Sequence, residues 1–108
     1  MKKTTLFITA LAFIFTLSSI AQAQDYIINQ KDKKFSQKKI TIKLGEKITF
    51  VNTEDEIVHN IYSSSKGNSF EIRKQPPGSR EVVEFKNKGK AKVRCAIHPK
   101  MKIKITIE

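Results

Sequence analysis

The last part of the chain alternates between basic and apolar residues on both sides of a short loop. Before the loop, lysine or arginine stands at every second position from Lys88 to Arg94, and after it apolar residues stand at every second position from Met101 to Ile107. Successive side chains of a β-strand point to opposite faces. The alternation therefore predicts two strands that each have one buried and one solvated face, with Cys95 and Met101 pointing into a core.

The rest of the chain beyond residue 39 has the same period. Segments 40–44 and 48–50 alternate on either side of Gly45 and Glu46, which predicts a β-hairpin, and His59 shares its phase with the isoleucines on either side of it. Turn signals such as the Pro-Pro-Gly at 76–78 separate these short segments. The pattern predicts an all-β, single-domain protein, either an antiparallel β-sandwich or a Greek-key barrel.

The N-terminal segment has the three parts of an export signal. Lys2 and Lys3 form a basic start, residues 6–17 form an apolar run, and Ala-Gln-Ala at 21–23 is a small-residue cleavage site. The apolar run is shorter than the ~20 residues that a membrane span requires. The sequence therefore predicts a signal peptide over 1–23, cleavage after Ala23, and a periplasmic or secreted domain over 24–108 that does not span a membrane.

The size and charge of the predicted mature domain limit its function. The domain has room for one modest core, which excludes a multidomain enzyme. Without the two lysines of the signal, 19 of the 21 Lys and Arg remain against 10 Asp and Glu, a net charge of about +9. In an exported protein this charge favours an acidic protein partner or anionic lipid over nucleic acid.

The loop RCAIHPKM between the last two predicted strands concentrates the soft metal ligands of the chain. Cys95, His98 and Met101 follow a C-x2-H-x2-M spacing. Pro99 favours a tight loop because it interrupts helix and strand hydrogen bonding. Two imidazoles and one thiolate with a long axial thioether form a blue-copper site. His59, the only other histidine, has the phase to supply the second imidazole.

Other interpretations remain open on these residues alone. Zinc also binds cysteine and histidine, although a thioether is a poor ligand for it. A hydrolase with Cys95 as nucleophile and His59 or His98 as base lacks a visible oxyanion arrangement or orienting acid. In a metal-free binding module, Cys95 would be a small core residue that serine could replace. The acidic run at 54–56 is interpreted as a solvated turn, because a hard-cation loop needs more oxygen ligands.

Two segments resemble the cupredoxins, the small blue copper proteins. They are ITIKLGEKITFVNTEDEIVHN upstream and CAIHPKM downstream, and the second is similar to the loop of amicyanin. The resemblance covers residues 26–108 and implies a plastocyanin- or amicyanin-like Greek-key sandwich with one type 1 copper ion. The site residues that it implies are His59, Cys95 and His98 as equatorial ligands, Met101 as weak axial ligand, and Asn60 and Pro99 as residues supporting the ligands.

The function that the resemblance implies is one-electron transfer between redox partners, without catalysis of a reaction. Electrons would enter and leave through His98. Ile97, Lys100 and Lys102 are the predicted docking residues for an acidic redox protein, such as a c-type cytochrome or a periplasmic oxidoreductase. Copper delivery or buffering is the alternative, because it would use the same ligands. We expect a monomer with no nucleic-acid partner.

Overall fold

The computed structural model describes residues 25–108, and within this range the chain forms nine strands and no helix, hence none that could cross a membrane. The predicted signal peptide and its cleavage site after Ala23 lie outside the described residues. The strands are β1 (Asp25–Lys31), β2 (Lys34–Phe35), β3 (Lys39–Ile42), β4 (Lys47–Asn52), β5 (His59–Ser63), β6 (Phe70–Gln75), β7 (Arg80–Glu84), β8 (Gly89–Cys95) and β9 (Lys102–Ile107).

The strands form two sheets that pack face to face. One sheet has the order β2-β1-β4-β7 and the other the order β3-β9-β8-β5-β6. The predicted all-β, single-domain sandwich is confirmed. The expectation of purely antiparallel pairing is wrong for two pairs, because β1 runs parallel to β4 and β3 runs parallel to β9. Parallel neighbours need a long crossover, and the chain between β1 and β4 supplies one by visiting β2 and β3.

The core lies between the sheets and is formed by the apolar face of each strand. Ala91, Val93 and Cys95 of β8 are buried, and so are the three isoleucines of β9. The basic residues between them are exposed, which confirms the strand faces predicted from the alternation. Burial of each isoleucine side chain stabilises the folded state by about 1.5–3 kcal/mol. The packing of this face therefore holds the ligand-bearing end of β8 in place.

β3 and β4 do not form the hairpin that the sequence predicts. β3 pairs with β9 in one sheet, whereas β4 pairs with β1 and β7 in the other. The N–H of Leu44 donates to the carbonyl of Glu108 at 2.9 Å, and the turn at Gly45, with a φ of 89°, then leads the chain to the opposite sheet. Alternating residues keep the same phase with either partner strand, so alternation alone does not distinguish a hairpin from a connection between sheets.

The pairing of β5 with β8 positions the candidate site. The two strands are antiparallel neighbours, with Ile61 opposite Cys95. The first residue of β5 and the last residue of β8 therefore lie at the same end of the sheet. This arrangement brings His59 next to Cys95 although they are 36 positions apart in sequence.

Candidate metal centre

His59 is the first residue of β5, and its side chain is fully buried. It shares the inward phase of Ile61, as the sequence predicts. Its imidazole Nδ1 is 3.2 Å from Nδ1 of His98 and 3.8 Å from Sγ of Cys95. One ring nitrogen of His59 therefore faces the other two potential metal ligands.

Cys95, the only cysteine of the chain, ends β8 with a buried, unpaired thiol. Its Sγ lies 3.6 Å from Nδ1 of His98 and accepts a hydrogen bond from the N–H of Asn60 at 3.4 Å. The carbonyl of Asn60 in turn accepts from the N–H of Ala96 at 2.9 Å. These bonds join the end of β8 to the start of β5, so the sulfur has a defined position beside two imidazoles.

The loop over residues 96–101 returns the chain from β8 to β9. The N–H of Met101 donates to the carbonyl of His98 at 2.9 Å, and the N–H of Cys95 donates to the carbonyl of Met101 at 3.2 Å. The side chain of Met101 is buried in the core, His98 is half-buried, and Pro99 is exposed. The two hydrogen bonds close a tight loop that holds the His98 imidazole near Cys95.

Three side chains of this site have the chemistry and spacing to hold one metal ion. One donor atom from each of His59, Cys95 and His98 lies within 4.8 Å of the other two. Two imidazole nitrogens and a thiolate suit copper or zinc, and the buried thioether residue Met101 at the end of the same loop favours copper. The donor set therefore fits the copper ion that the cupredoxin resemblance implies.

Glu54 contacts the opposite edge of the His59 ring, with Oε1 at 3.2 Å from Nε2. Burial of Glu54 alone would raise its pKa, but hydrogen bonds from the backbone N–H groups of Lys33 and Asp32 and from His59 outweigh burial and lower the pKa. Burial is also the main reason why the pKa of His59 is lowered. The hydrogen bond that the ring donates to Glu54 opposes this effect, and the charge of His98 adds to it. The neutral ring, the form that binds metals, is favoured.

The interpretation of residues 54–56 as a solvated turn is wrong for Glu54. The side chain of Glu54 is only 7% exposed, whereas Asp55 and Glu56 are exposed. The N–H of Lys33, 21 positions earlier, donates to the carboxylate at 2.9 Å. Since this contact joins two distant turns, no local pattern in the sequence identifies Glu54 as part of the site.

The predicted docking residues surround the exposed edge of the site. Ile97 is 55% exposed and borders a surface pocket of about 520 Å³ that reaches His98. Lys102 borders a neighbouring cleft. The β1–β2 turn also contributes to the pocket, which the sequence does not predict. The pocket is lined by Asp32, Lys33, Lys34, Ile97, His98, Pro99 and Lys100.

The sequence of the chain is similar to those of known proteins. Residues 23–108 match the model of a family described as copper binding proteins, plastocyanin/azurin family. The chain is 29% identical over 100 residues to the methylamine utilization protein MauL of Methylorubrum extorquens, and the match covers 91% of this chain and 87% of MauL.

Two solved structures share the fold. A copper-containing nitrite reductase from Thermus scotoductus has a TM-score of 0.72 and 23% identity, and the match covers 81% of this chain but only 23% of the reductase. A point variant of amicyanin with Cu(I) has a TM-score of 0.71 and 17% identity, over 78% of this chain and 82% of amicyanin. At these identities the likeness establishes the β-sandwich fold.

Proposed function

The chain belongs to the plastocyanin/azurin family of copper-binding proteins, and we propose that it is an exported carrier of single electrons between redox partners. The observation that carries this proposal is the convergence of two imidazole nitrogens and one thiol sulfur, 3.2 to 3.8 Å apart, at one end of the sandwich. The cofactor is copper, which when bound supplies a centre that alternates between Cu(I) and Cu(II).

In this proposal His59, Cys95 and His98 are the equatorial ligands, and Met101 is the weak axial ligand. Two of these residues stand on the paired strands β5 and β8, and the other two belong to a loop closed by its own hydrogen bonds. Packed interiors resist deformation. The donors therefore change position little between oxidation states, which keeps the reorganisation that accompanies electron transfer small.

Asn60 and Pro99 support the proposed ligands from outside the donor set. The N–H of Asn60 donates to Sγ of Cys95, and a hydrogen bond to a ligand sulfur withdraws electron density from it and tunes the metal. Pro99 follows His98 directly and fixes the backbone of the loop through its restricted φ. Both residues would help to keep the imidazole and the thiolate in one arrangement.

The proposed partner is an acidic redox protein, such as a c-type cytochrome or a periplasmic oxidoreductase. The half-buried His98 offers a short route for the electron to the surface, and the exposed Ile97 offers an apolar contact beside it. Positive charge around this contact would steer an acidic surface towards it. The lysines that border it are Lys33, Lys34, Lys100 and Lys102.

The proposed location is the periplasm or the exterior of the cell, after cleavage at Ala23. The domain over 24–108 would act there as a monomer, carrying electrons without catalysing a reaction and without binding nucleic acid. The basic start, apolar run and small-residue site of residues 1–23 support export.

The test is to purify residues 24–108, add Cu(II), and record visible absorption and paramagnetic resonance spectra. We expect an intense thiolate-to-copper band and a narrow copper hyperfine splitting. Cys95→Ser and His59→Ala should each abolish the band, because each removes an equatorial donor. Met101→Leu should retain the band and raise the reduction potential, because it removes only the weak axial donor.

Two results would contradict the proposal. A protein that binds only Cu(I) and remains colourless would indicate copper delivery or buffering, the alternative use of the same ligands. A band that persists in Cys95→Ser or His59→Ala would remove that residue from the site. Lys88→Glu, just before the end of β8 that lies away from the site, is the control for a general effect of substitution and should leave both spectra unchanged.

A further inference from the structure

His59 lies between a buried carboxylate on one side and the potential metal ligands on the other. Its Nε2 is 3.2 Å from Oε1 of Glu54, while its Nδ1 faces Cys95 and His98. The His59 side chain is fully buried, and the Glu54 side chain is 7% exposed. The carboxylate of Glu54 is therefore enclosed by the protein and forms part of the site through its contact with a proposed copper ligand.

The position of Glu54 is fixed by groups other than His59. The N–H of Lys33 donates to its Oε1 at 2.9 Å. Asp32 and Lys33 form the two-residue β1–β2 turn with φ values of 54° and 56°, a conformation typical of such hairpin turns that here directs an N–H at the carboxylate. On the other side, Oδ1 of Asn52 accepts from the N–H of Glu54 at 3.0 Å. These contacts order Glu54 independently of its contact with the imidazole.

The carboxylate determines which nitrogen of neutral His59 carries the proton. An ionised carboxylate only accepts hydrogen bonds, so a bond to Glu54 requires the proton on Nε2. The lone pair of the ring is then on Nδ1, directed at Cys95 and His98. Carboxylate partners of metal-binding histidines act in this way in many metal sites.

We propose that Glu54 is a positioning residue that fixes the tautomer and ring orientation of His59 and whose negative charge favours Cu(II) over Cu(I) at the adjacent site. The effect on copper rests on the proposed function, since it requires copper at His59. The effect on the tautomer requires only the metal-free protein. The two parts can therefore be tested separately.

The first test measures the imidazole ¹⁵N spectrum of metal-free, ¹⁵N-labelled residues 24–108. We expect His59 in the Nε2–H tautomer in the wild type. Glu54→Ala should give a mixture of tautomers, because the acceptor is gone. Glu54→Gln should restore the wild-type tautomer, because its amide oxygen still accepts. Glu56→Gln is the matched control, since it removes the same charge from an exposed residue two positions away.

The second test measures the reduction potential of the copper-loaded variants. Glu54→Gln keeps the shape and removes the charge, so the ratio of Cu(II) to Cu(I) affinity should fall about tenfold, which raises the potential by about 59 mV. Glu56→Gln should change the potential much less, because water screens its carboxylate. Glu54→Ala should weaken Cu(II) binding by about 10–100-fold, the usual effect of removing such a partner.

Two outcomes overturn the inference. One is an unchanged His59 tautomer in Glu54→Ala, and the other is a reduction potential in Glu54→Gln that is no higher than in Glu56→Gln. If Glu54→Ala does not fold, the potential of Glu54→Gln decides. If the wild type forms no blue copper site, the proposed function fails, and the tautomer of the metal-free protein still decides whether Glu54 positions His59.

Discussion

The backbone N–H of Asn60 donates to Sγ of Cys95 across 3.4 Å and joins the start of β5 to the end of β8. The carbonyl of Asn60 accepts from Ala96 on the same side of the site. Both bonds use the main chain, and the buried Oδ1 of Asn60 has no hydrogen-bond partner within residues 25–108. The contact to sulfur therefore depends on the N–H at position 60 and not on the asparagine side chain.

Replacement of Asn60 by proline removes this donor. Position 60 lies at a register irregularity of β5, where strands tolerate proline. We expect the reduction potential to fall, because the thiolate keeps more electron density and stabilises Cu(II). A net hydrogen-bond contribution of about 1 kcal/mol corresponds to roughly 40 mV for one electron. Voltammetry should show the fall in Asn60→Pro and not in Asn60→Ala, which retains the N–H. Equal potentials in the two variants would contradict this role.

Gln30 of β1 and Gln75 of β6 link the two sheets through a buried hydrogen bond of 2.8 Å. Gln30→Leu or Gln75→Leu alone leaves the partner amide unpaired, and we expect each to lower the free energy of unfolding by about 1–3 kcal/mol. The double leucine variant leaves no unpaired amide, so it should cost less than the sum of the two single variants. Urea unfolding of the four proteins measures this, and additive losses would show that the amides do not act as a pair.

The strand faces around the site could be predicted from sequence because they depend only on local geometry. Cys95 and Met101 alternate with basic residues, and the period of two fixes the buried side of each strand. The partner strands could not be predicted in this way. The hydrogen bond of Leu44 to Glu108 that separates β3 from β4 joins residues far apart in sequence.

The contacts that surround the donors were also beyond sequence patterns. The carboxylate of Glu54 is buried by a turn 21 positions earlier, and the acidic run that contains it has the composition of a solvated loop. The resemblance to cupredoxins indicated His59 and Cys95 as a pair, but no motif pointed to the residue behind the imidazole. Tertiary packing, not composition, decides which carboxylate of an acidic run is buried.

The Tyr26 hydroxyl donates to Oε1 of Glu46 at 3.4 Å. The pKa of Tyr26 is raised above 10.0, first by burial and then by the charge and hydrogen bond of Glu46. The folded protein therefore keeps this proton at a pH where the unfolded chain has released it. The stabilisation is present in full below about pH 10 and is lost as the pH rises through the folded pKa.

We expect the difference in free energy of unfolding between wild type and Tyr26→Phe to decrease above about pH 10, because the variant has no phenolic proton to lose. Urea unfolding of both proteins across this pH range measures the difference. Comparison with the variant cancels the titration of the many lysines. A difference that stays constant with pH would mean that the contact with Glu46 does not perturb Tyr26.

Lys100 and Lys88 test whether local charge, rather than net charge, directs the partner. Lys100 borders the pocket at His98, whereas Lys88 precedes β8 at its opposite end. Seven strand residues span about 20 Å, beyond the ~10 Å over which exposed charges act at 0.1 M salt. We expect Lys100→Glu to slow electron transfer to an acidic c-type cytochrome by about tenfold at 0.1 M salt. Lys88→Glu changes the net charge equally and should have little effect.

Stopped-flow rates at increasing ionic strength should converge for the two variants, since salt screens the steering charge. A rate loss of the same size in both would place the docking surface elsewhere.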